Sequence, residues 1–531
     1  MTRKVAVATG LTAVVCAAGM VAGASLTGAV AAPAPEVAAK RLVFAACADE
    51  LKMPAGFECA TLRTPLDHAK PGGRKISVTV NRHRATGPKA KYQGVLLVNP
   101  GGPGGSGLGL AARLVSAKRL SPAVLAAYDV IGFDPRGVGA STPVHCLTKP
   151  EKYFTHPVAD WVPADSRHEA TLVKRAQAYA KACGRAAGDL LPYLSTEQTV
   201  RDMEAIRAGL GARQLNYLGY SYGTYLGAVY GTLFPQRVRR MVLDSSVDPQ
   251  GVWYRANIAQ DHAFQARLGD FHGWVATHHK VFRLGTTTAA VRANWDRYLG
   301  ALKAKPAGGK VGKGEMTDYT LGSLYSTRGW EAIARAFSDY VVAKKEDTTA
   351  GLFFQEEAAD ENGYAVYLSV QCRDAAWPRL WTYWHLEQSR VHQRAPFMTW
   401  SNAWYNAPCA FWPVKGGPPV RVDGRKLAGV LMFQSTRDPA TPYRGSLNML
   451  RALGPNARMV VEPGGGRHGL YSSAYNACVD RHGDTYLLGG KLPARGTTCA
   501  MTPLPVPAGK AGAKTARPVT APDIVMPPHR F

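Results

Sequence analysis

The chain has 531 residues, enough for a large core and, at roughly 150 residues per unit, for two or three structural units. Its 46% apolar and 19% charged residues make a globular balance that excludes disorder along most of the length. The net charge is +26, from 64 Lys and Arg against 38 Asp and Glu, yet these are scattered, with no long basic run, RNA-binding signature or zinc finger. That pattern argues against a nucleic-acid partner and for an exported protein that meets anionic envelope polymers.

Residues 1–31 have the layout of an export signal: Arg3 and Lys4, a mildly apolar stretch without charge, then the small triplet Ala29-Val30-Ala31 as a cleavage site. Gly10, Gly19, Gly23 and Gly28 dilute the apolarity, which favours cleavage over a retained membrane anchor, and no other candidate span follows. Removal of the signal also removes Cys16 and leaves Cys47, Cys59, Cys146, Cys183, Cys372, Cys409, Cys478 and Cys499. An even number without CxxC spacing points to disulfides rather than a metal. Eight cysteines allow about 105 pairings, among which sequential pairing is the simplest and the sequence does not choose.

Strands are predicted at 76–80, 94–98, 128–133, 215–219, 239–243, 429–433 and 458–461, alternating with helical patterns. This is the mark of an α/β fold, a mostly parallel sheet with helices on both faces. The interval 250–420, rich in Trp and Tyr and helical in period, reads as a cap inserted between two parts of a core, 32–249 and 421–500. Residues 501–531, rich in Pro, Ala and Lys, read as a mobile tail.

After the second of these strands comes NPGGPGGSG, in which Gly102, Gly104 and Gly107 fit GxGxxG. A dinucleotide fingerprint is disfavoured because Pro103 sits in the turn and the next strand-end acid, Asp134, lies 27 residues past Gly107. The same glycines can instead turn backbone N–H groups toward a developing oxyanion. Asp134 and Arg136, in DPRGVGAS, read as structural charges paired beneath the site.

GYSYG places Ser221 between a strand and a helix, and Gly223, Gly227 and Gly231 recur every four residues along one helical face. That combination predicts a nucleophile elbow, with the helix pressed against the sheet. A serine needs a base, and the base an acid, following in the order Ser, acid, His at later strand ends. Asp438, after strand 429–433, and His468, after strand 458–461, fall in those places. Asp244, at the end of strand 239–243, is the alternative acid, and His482 the alternative base; both are disfavoured, the first by the intervening insertion and the second because no strand precedes it.

With NPGGPGGSG, DPRGVGAS, GYSYGTYLGAVYGTLFPQRVRRMVLDSSVDP, CRDAAWP and STRDPATPY, the chain resembles the secreted bacterial tripeptidyl aminopeptidases, α/β-hydrolase serine exopeptidases related to prolyl aminopeptidase. The resemblance runs from about Cys47 to Cys499 and implies release of short peptides, typically tripeptides, from free N-termini without metal or organic cofactor. It implies Ser221 as nucleophile, His468 as base and then acid, Asp438 as its partner, and an oxyanion hole from the Gly102 and Tyr222 N–H groups. Thr441, in DPATP, would steady the acid's loop or serve simply as a turn residue. The substrate ammonium group would need cap carboxylates, for which Glu361 and Asp374 are the candidates. One departure stands out: Gln371 precedes Cys372, where relatives can carry Glu, which would weaken or alter recognition of the amino end.

Overall fold

The computed structural model describes residues 40–354, 358–473 and 475–508. The expected signal peptide lies outside them. Nine strands form one sheet: β1 (Ala45–Ala46), β2 (Phe57–Pro65), β3 (Lys75–His83), β4 (Gly94–Asn99), β5 (Tyr128–Phe133), β6 (Leu215–Tyr220), β7 (Val238–Asp244), β8 (Val430–Ser435) and β9 (Ala457–Glu462). Their order is β1-β2-β3-β5-β4-β6-β7-β8-β9. The pairs β1/β2, β2/β3 and β3/β5 are antiparallel, and every pair from β5/β4 to β8/β9 is parallel. This is the α/β-hydrolase sheet that the sequence predicts, with two antiparallel strands added at one edge. All seven predicted strands are present, and β1 and β2 are additional.

The parallel strands are apolar on both sides because helices cover both faces. Leu97, Tyr217, Leu243 and Met432 pack into one hydrophobic cluster, while their neighbours Leu96, Leu218, Val242 and Leu431 pack into another on the opposite face. The chain leaves β4 to form β5 on one side of it and returns to form β6 on the other. Such a reversal of strand order opens a crevice at the carboxyl ends of the two strands, the place where ligands bind in open α/β sheets. The glycine loop follows β4, and Ser221 follows β6.

Between β7 and β8 the described residues form helices and no strand, from Tyr254–Thr277 to Thr399–Asn406. Residues of this insertion between Phe264 and Phe337 pack into a core of their own, whereas Tyr364 to Trp384 join the cluster on one face of the sheet. One flank of the insertion is therefore fused to the sheet, residues 264–337 form a helical layer beside it, and Trp400, Ala403 and Trp404 pack against Trp161, Leu172 and Ala176 of the segment after β5. Residues 501–508, expected as part of a mobile tail, run along the insertion: Trp274 Nε1 donates to Pro505 O at 2.8 Å and Ala508 N to Glu331 Oε1 at 3.1 Å. The remainder of that tail lies outside the described residues.

The four disulfides are Cys47–Cys59, Cys146–Cys183, Cys372–Cys409 and Cys478–Cys499, the sequential pairing. No helix among the described residues is long and apolar enough to cross a membrane.

Candidate active site

Ser221 links β6 directly to the helix Tyr222–Leu233 with φ 55° and ψ −126°, a backbone conformation that L-residues adopt only under constraint. The constraint comes from both sides. Ser221 N donates to Asp244 O on β7 at 3.0 Å, and the Thr224 hydroxyl donates to Ser221 O at 2.6 Å. The flanking glycines are steric requirements, since a Cβ on Gly219 would stand 2.5 Å from Gly223 O, and one on Gly223 would stand 2.8 Å from Asn99 O. The turn thus lifts Ser221, half-buried, to the rim of the sheet.

The turn after β8 carries Asp438, and that carboxylate is held by five donors. Its Oδ1 accepts Ala440 N at 2.9 Å and Thr441 N at 3.0 Å, and its Oδ2 accepts Thr441 Oγ1 at 2.8 Å and Gln434 Nε2 at 3.3 Å. The fifth is His468 Nδ1, at 2.9 Å from Oδ2 and 3.1 Å from Oδ1, both side chains being fully buried. This fixes the imidazole with its proton on Nδ1 and Nε2 free to accept one. Among the described residues, His468 Nε2 has no hydrogen-bond partner. The insertion also holds this histidine: His468 N donates to Tyr325 O at 2.8 Å, and the two rings meet edge to face, 5.3 Å between centroids.

Asp244, the alternative acid, has another task. Its Oδ2 accepts Leu470 N at 2.9 Å and Tyr471 N at 2.6 Å, clamping the loop just past His468, while its own carbonyl holds Ser221 N. One residue therefore ties the serine turn to the histidine loop. Burial pushes its carboxyl up to about 7 against these hydrogen bonds. His482, the alternative base, stands on the helix Ala477–Gly489 beside the Cys478–Cys499 bridge. Cys478, His482 and Cys499 are also the one group of three metal-type side chains close together among the described residues, and the bridge occupies both sulfurs.

A cavity of about 420 Å³ lies over this rim, lined on the sheet side by Ser221, Tyr222, Gly102 and Thr441 and on the insertion side by Trp253, Tyr325 and Gln371. Gly102 leaves β4 at φ +109°, a region that suits glycine. Tyr222 opens its helix, so its N–H has no acceptor within it. The Tyr222 hydroxyl reaches back to Thr196 Oγ1 at 2.8 Å.

The two carboxylates expected at the substrate amine are placed elsewhere. Glu361 is fully buried and accepts from Cys146 N at 2.9 Å, Leu147 N at 3.2 Å, His145 Nδ1 at 2.8 Å and the Tyr179 hydroxyl at 3.1 Å. It anchors the insertion to the loop after β5 and does not line the cavity. Asp374 lies behind the wall, accepting Thr196 N at 2.8 Å, Thr196 Oγ1 at 2.6 Å and Trp253 Nε1 at 3.3 Å; burial pushes it up to about 6. Gln371 does line the cavity, accepting from Asn257 Nδ2 at 3.2 Å.

Asp134 and Arg136 are buried but are not each other's partners. Asp134 accepts from Ser106 Oγ at 2.6 Å and Ala140 N at 3.0 Å. Arg136 grips Asp202 with two bonds of 2.7 Å. Burial would raise the Asp202 carboxyl, and Arg136 and His68 together outweigh it, holding the group below its ordinary value.

Residues 395–499, which carry Asp438 and His468, match the family described as TAP-like protein. The tripeptidyl aminopeptidase of Streptomyces lividans is 42% identical over 474 residues, covering 87% of each chain. The chain belongs to the tripeptidyl aminopeptidase family. Within wider reach of this family, the serine protease Hip1 of Mycobacterium tuberculosis is 30% identical over 85% of the chain and 88% of its own length. The carboxylesterase B of the same organism is 32% identical over 83% of the chain and 86% of its own length. The tripeptidyl aminopeptidase match spans sheet and insertion alike, so the chain is a hydrolase of this family over nearly its whole described length.

Proposed function

We propose that the protein is an exported serine exopeptidase that releases short peptides, tripeptides in the main, from free N-termini. In this reading Ser221 Oγ attacks the scissile carbonyl carbon while His468 Nε2 takes its proton, and Asp438 holds the imidazolium through Nδ1–H. The tetrahedral oxygen is received by the Gly102 and Tyr222 N–H groups, which need no rearrangement as charge develops. His468 then protonates the leaving amine, the C–N bond breaks, and water hydrolyses the acyl-enzyme by the same steps in reverse.

The observation that carries this reading is the buried Asp438–His468 pair, with Nε2 unpartnered, in the loop cluster tied to the Ser221 turn. Catalytic hydrogen bonds are often open before substrate binds, so the free Nε2 suits a resting base. A roofed cavity of limited volume suits a short acyl segment better than a continuous polypeptide, and the kinship with the Streptomyces lividans tripeptidyl aminopeptidase favours three residues. Four disulfides and the signal-like N-terminus support export to an oxidising compartment.

Kinship with a carboxylesterase supports a second reading, ester hydrolysis by the same serine. Comparing a tripeptide p-nitroanilide, its N-acetylated form and p-nitrophenyl acetate separates the two. The exopeptidase reading predicts that kcat/KM is highest for the free tripeptide; an enzyme that turns over the acetate and neither peptide is an esterase.

A further inference from the structure

An enzyme that selects free N-termini must offer the ammonium group a carboxylate, and neither Glu361 nor Asp374 is available for it. Among the described residues lining the cavity, one acid remains: Asp248, four residues past the end of β7. It is half-buried. Its Oδ1 accepts Gln250 N at 2.9 Å and its Oδ2 accepts Asn448 Nδ2 at 2.8 Å, one bond to each oxygen. A carboxylate oxygen has room for a second donor, so Asp248 is oriented without being saturated. Among the described residues it forms no ion pair.

Its place is set by the same elements that set the nucleophile. Val247 N donates to Thr224 Oγ1 at 3.1 Å, and that hydroxyl donates to Ser221 O. On the other side Gly445 packs against it so closely that a Cβ there would stand 2.8 Å from Asp248 Cβ. The neighbouring polar lining offers no competing negative charge: Gln371 and Asn257 are neutral, and Arg255 and Arg444 are exposed cations.

We propose that Asp248 is the ammonium subsite of this cavity and sets the preference for a free amino end, an inference that rests on the exopeptidase reading above. A protonated primary amine replaces the cation that Asp248 lacks. An acylated amine leaves a partly desolvated carboxylate without a partner, and this penalises blocked substrates. The neutral Gln371 at the position where relatives can carry Glu then ceases to be a deficiency, because the charge is supplied from the strand side of the cavity.

The test uses Asp248→Asn, which keeps the side-chain shape, with wild type and Asp248→Glu beside it. KM and kcat are measured for the free tripeptide p-nitroanilide, its N-acetylated form and p-nitrophenyl acetate, with the rate of fluorophosphonate labelling as a check on the site. We expect Asp248→Asn to lose about 10- to 100-fold in kcat/KM on the free tripeptide, mainly through KM. The ester and the labelling rate should be unaffected, the blocked peptide should lose its penalty and be cleaved faster than by the wild type, and Asp248→Glu should recover part of the preference. A wild-type preference for the free end that survives Asp248→Asn overturns the subsite alone, whereas a wild type that favours the blocked peptide or the ester overturns the exopeptidase reading with it. Independently of how that variant folds, a crystal of the Ser221→Ala protein with a tripeptide amide should place the amine within hydrogen-bond distance of an Asp248 oxygen. An amine bound elsewhere overturns the assignment.

Discussion

The division of labour between two buried acids, Asp438 and Asp244, decides how the site works. Asp438 touches the imidazole, so Asp438→Asn should leave the fold intact and lower kcat on the order of 10⁴-fold by stabilising the wrong tautomer and removing the charge beside it. Steady-state rates, compared with unchanged far-ultraviolet dichroism, check this; a loss below tenfold would return the acid's role to Asp244. Asp244 predicts a stability effect. Its folded-state value of about 7 lies above the ordinary carboxyl value near 3.9, so the native state holds this proton more tightly than the unfolded chain. The stability this contributes is fully present below about pH 4 and is lost as the pH rises to about 7. Asp244→Asn does not titrate, so urea unfolding from pH 4.5 to 8 should show the wild type losing stability relative to the variant up to pH 7. The slope should be at most about 1.4 kcal/mol per pH unit, flattening beyond. Parallel stability curves for the two proteins would show that Asp244 does not titrate in this range.

Among the elements, the helix Tyr222–Leu233 is seated closely on the sheet. A Cβ on Gly227 would stand 2.4 Å from Tyr217 Cε1 and 3.0 Å from Leu243 Cδ2, and Tyr217 itself donates to Gly223 O at 2.8 Å. Gly227→Ala must therefore push the helix from the sheet although alanine favours helices, and stability should fall by about 1 to 3 kcal/mol with a loss of activity as the serine turn shifts. An unchanged melting temperature would mean that the helix is not seated this closely. The Cys372–Cys409 bridge ties the end of the helix Ala358–Asp374, which supplies Gln371, to the segment Ala407–Phe411. Closing a loop of 37 residues stabilises by about 4 kcal/mol on loop entropy. Replacing both cysteines by serine should lower the melting temperature by several degrees, and full retention would show that the segment is held by packing alone.

For the molecule as a whole, the sheet was legible because its six parallel strands, covered on both faces, are unbroken apolar runs and the antiparallel β3 is rich in β-branched residues, so all seven predicted strands could be read from their residues. β2 was not, since FECATLRTP alternates buried with exposed positions and its Glu58 and Arg63 dilute the signal. Ser221, Asp438 and His468 could be located because each sits at a strand end in a fixed order, a rule that depends on the sheet alone. The lining of the cavity does not obey such a rule. Glu361 and Asp374 satisfied composition and motif, yet acids on a buried helix are claimed by whichever backbone donors lie opposite, here Cys146, Leu147 and Thr196. Arg136 likewise found Asp202, 66 residues away, rather than Asp134 beside it. Asp248 had no signal beyond its place in SSVDP, because what distinguishes it is the Asn448 and Gly445 side of its surroundings, some 200 residues downstream.

The central claim is that Ser221 is the nucleophile and that His468 activates it, and mapping the fluorophosphonate adduct by mass spectrometry tests this most directly. We predict one adduct per chain, on the peptide containing Ser221, lost in Ser221→Ala and formed at a greatly reduced rate in His468→Ala. Peptide hydrolysis that persists in Ser221→Ala, or an adduct mapped to another residue, would contradict the account.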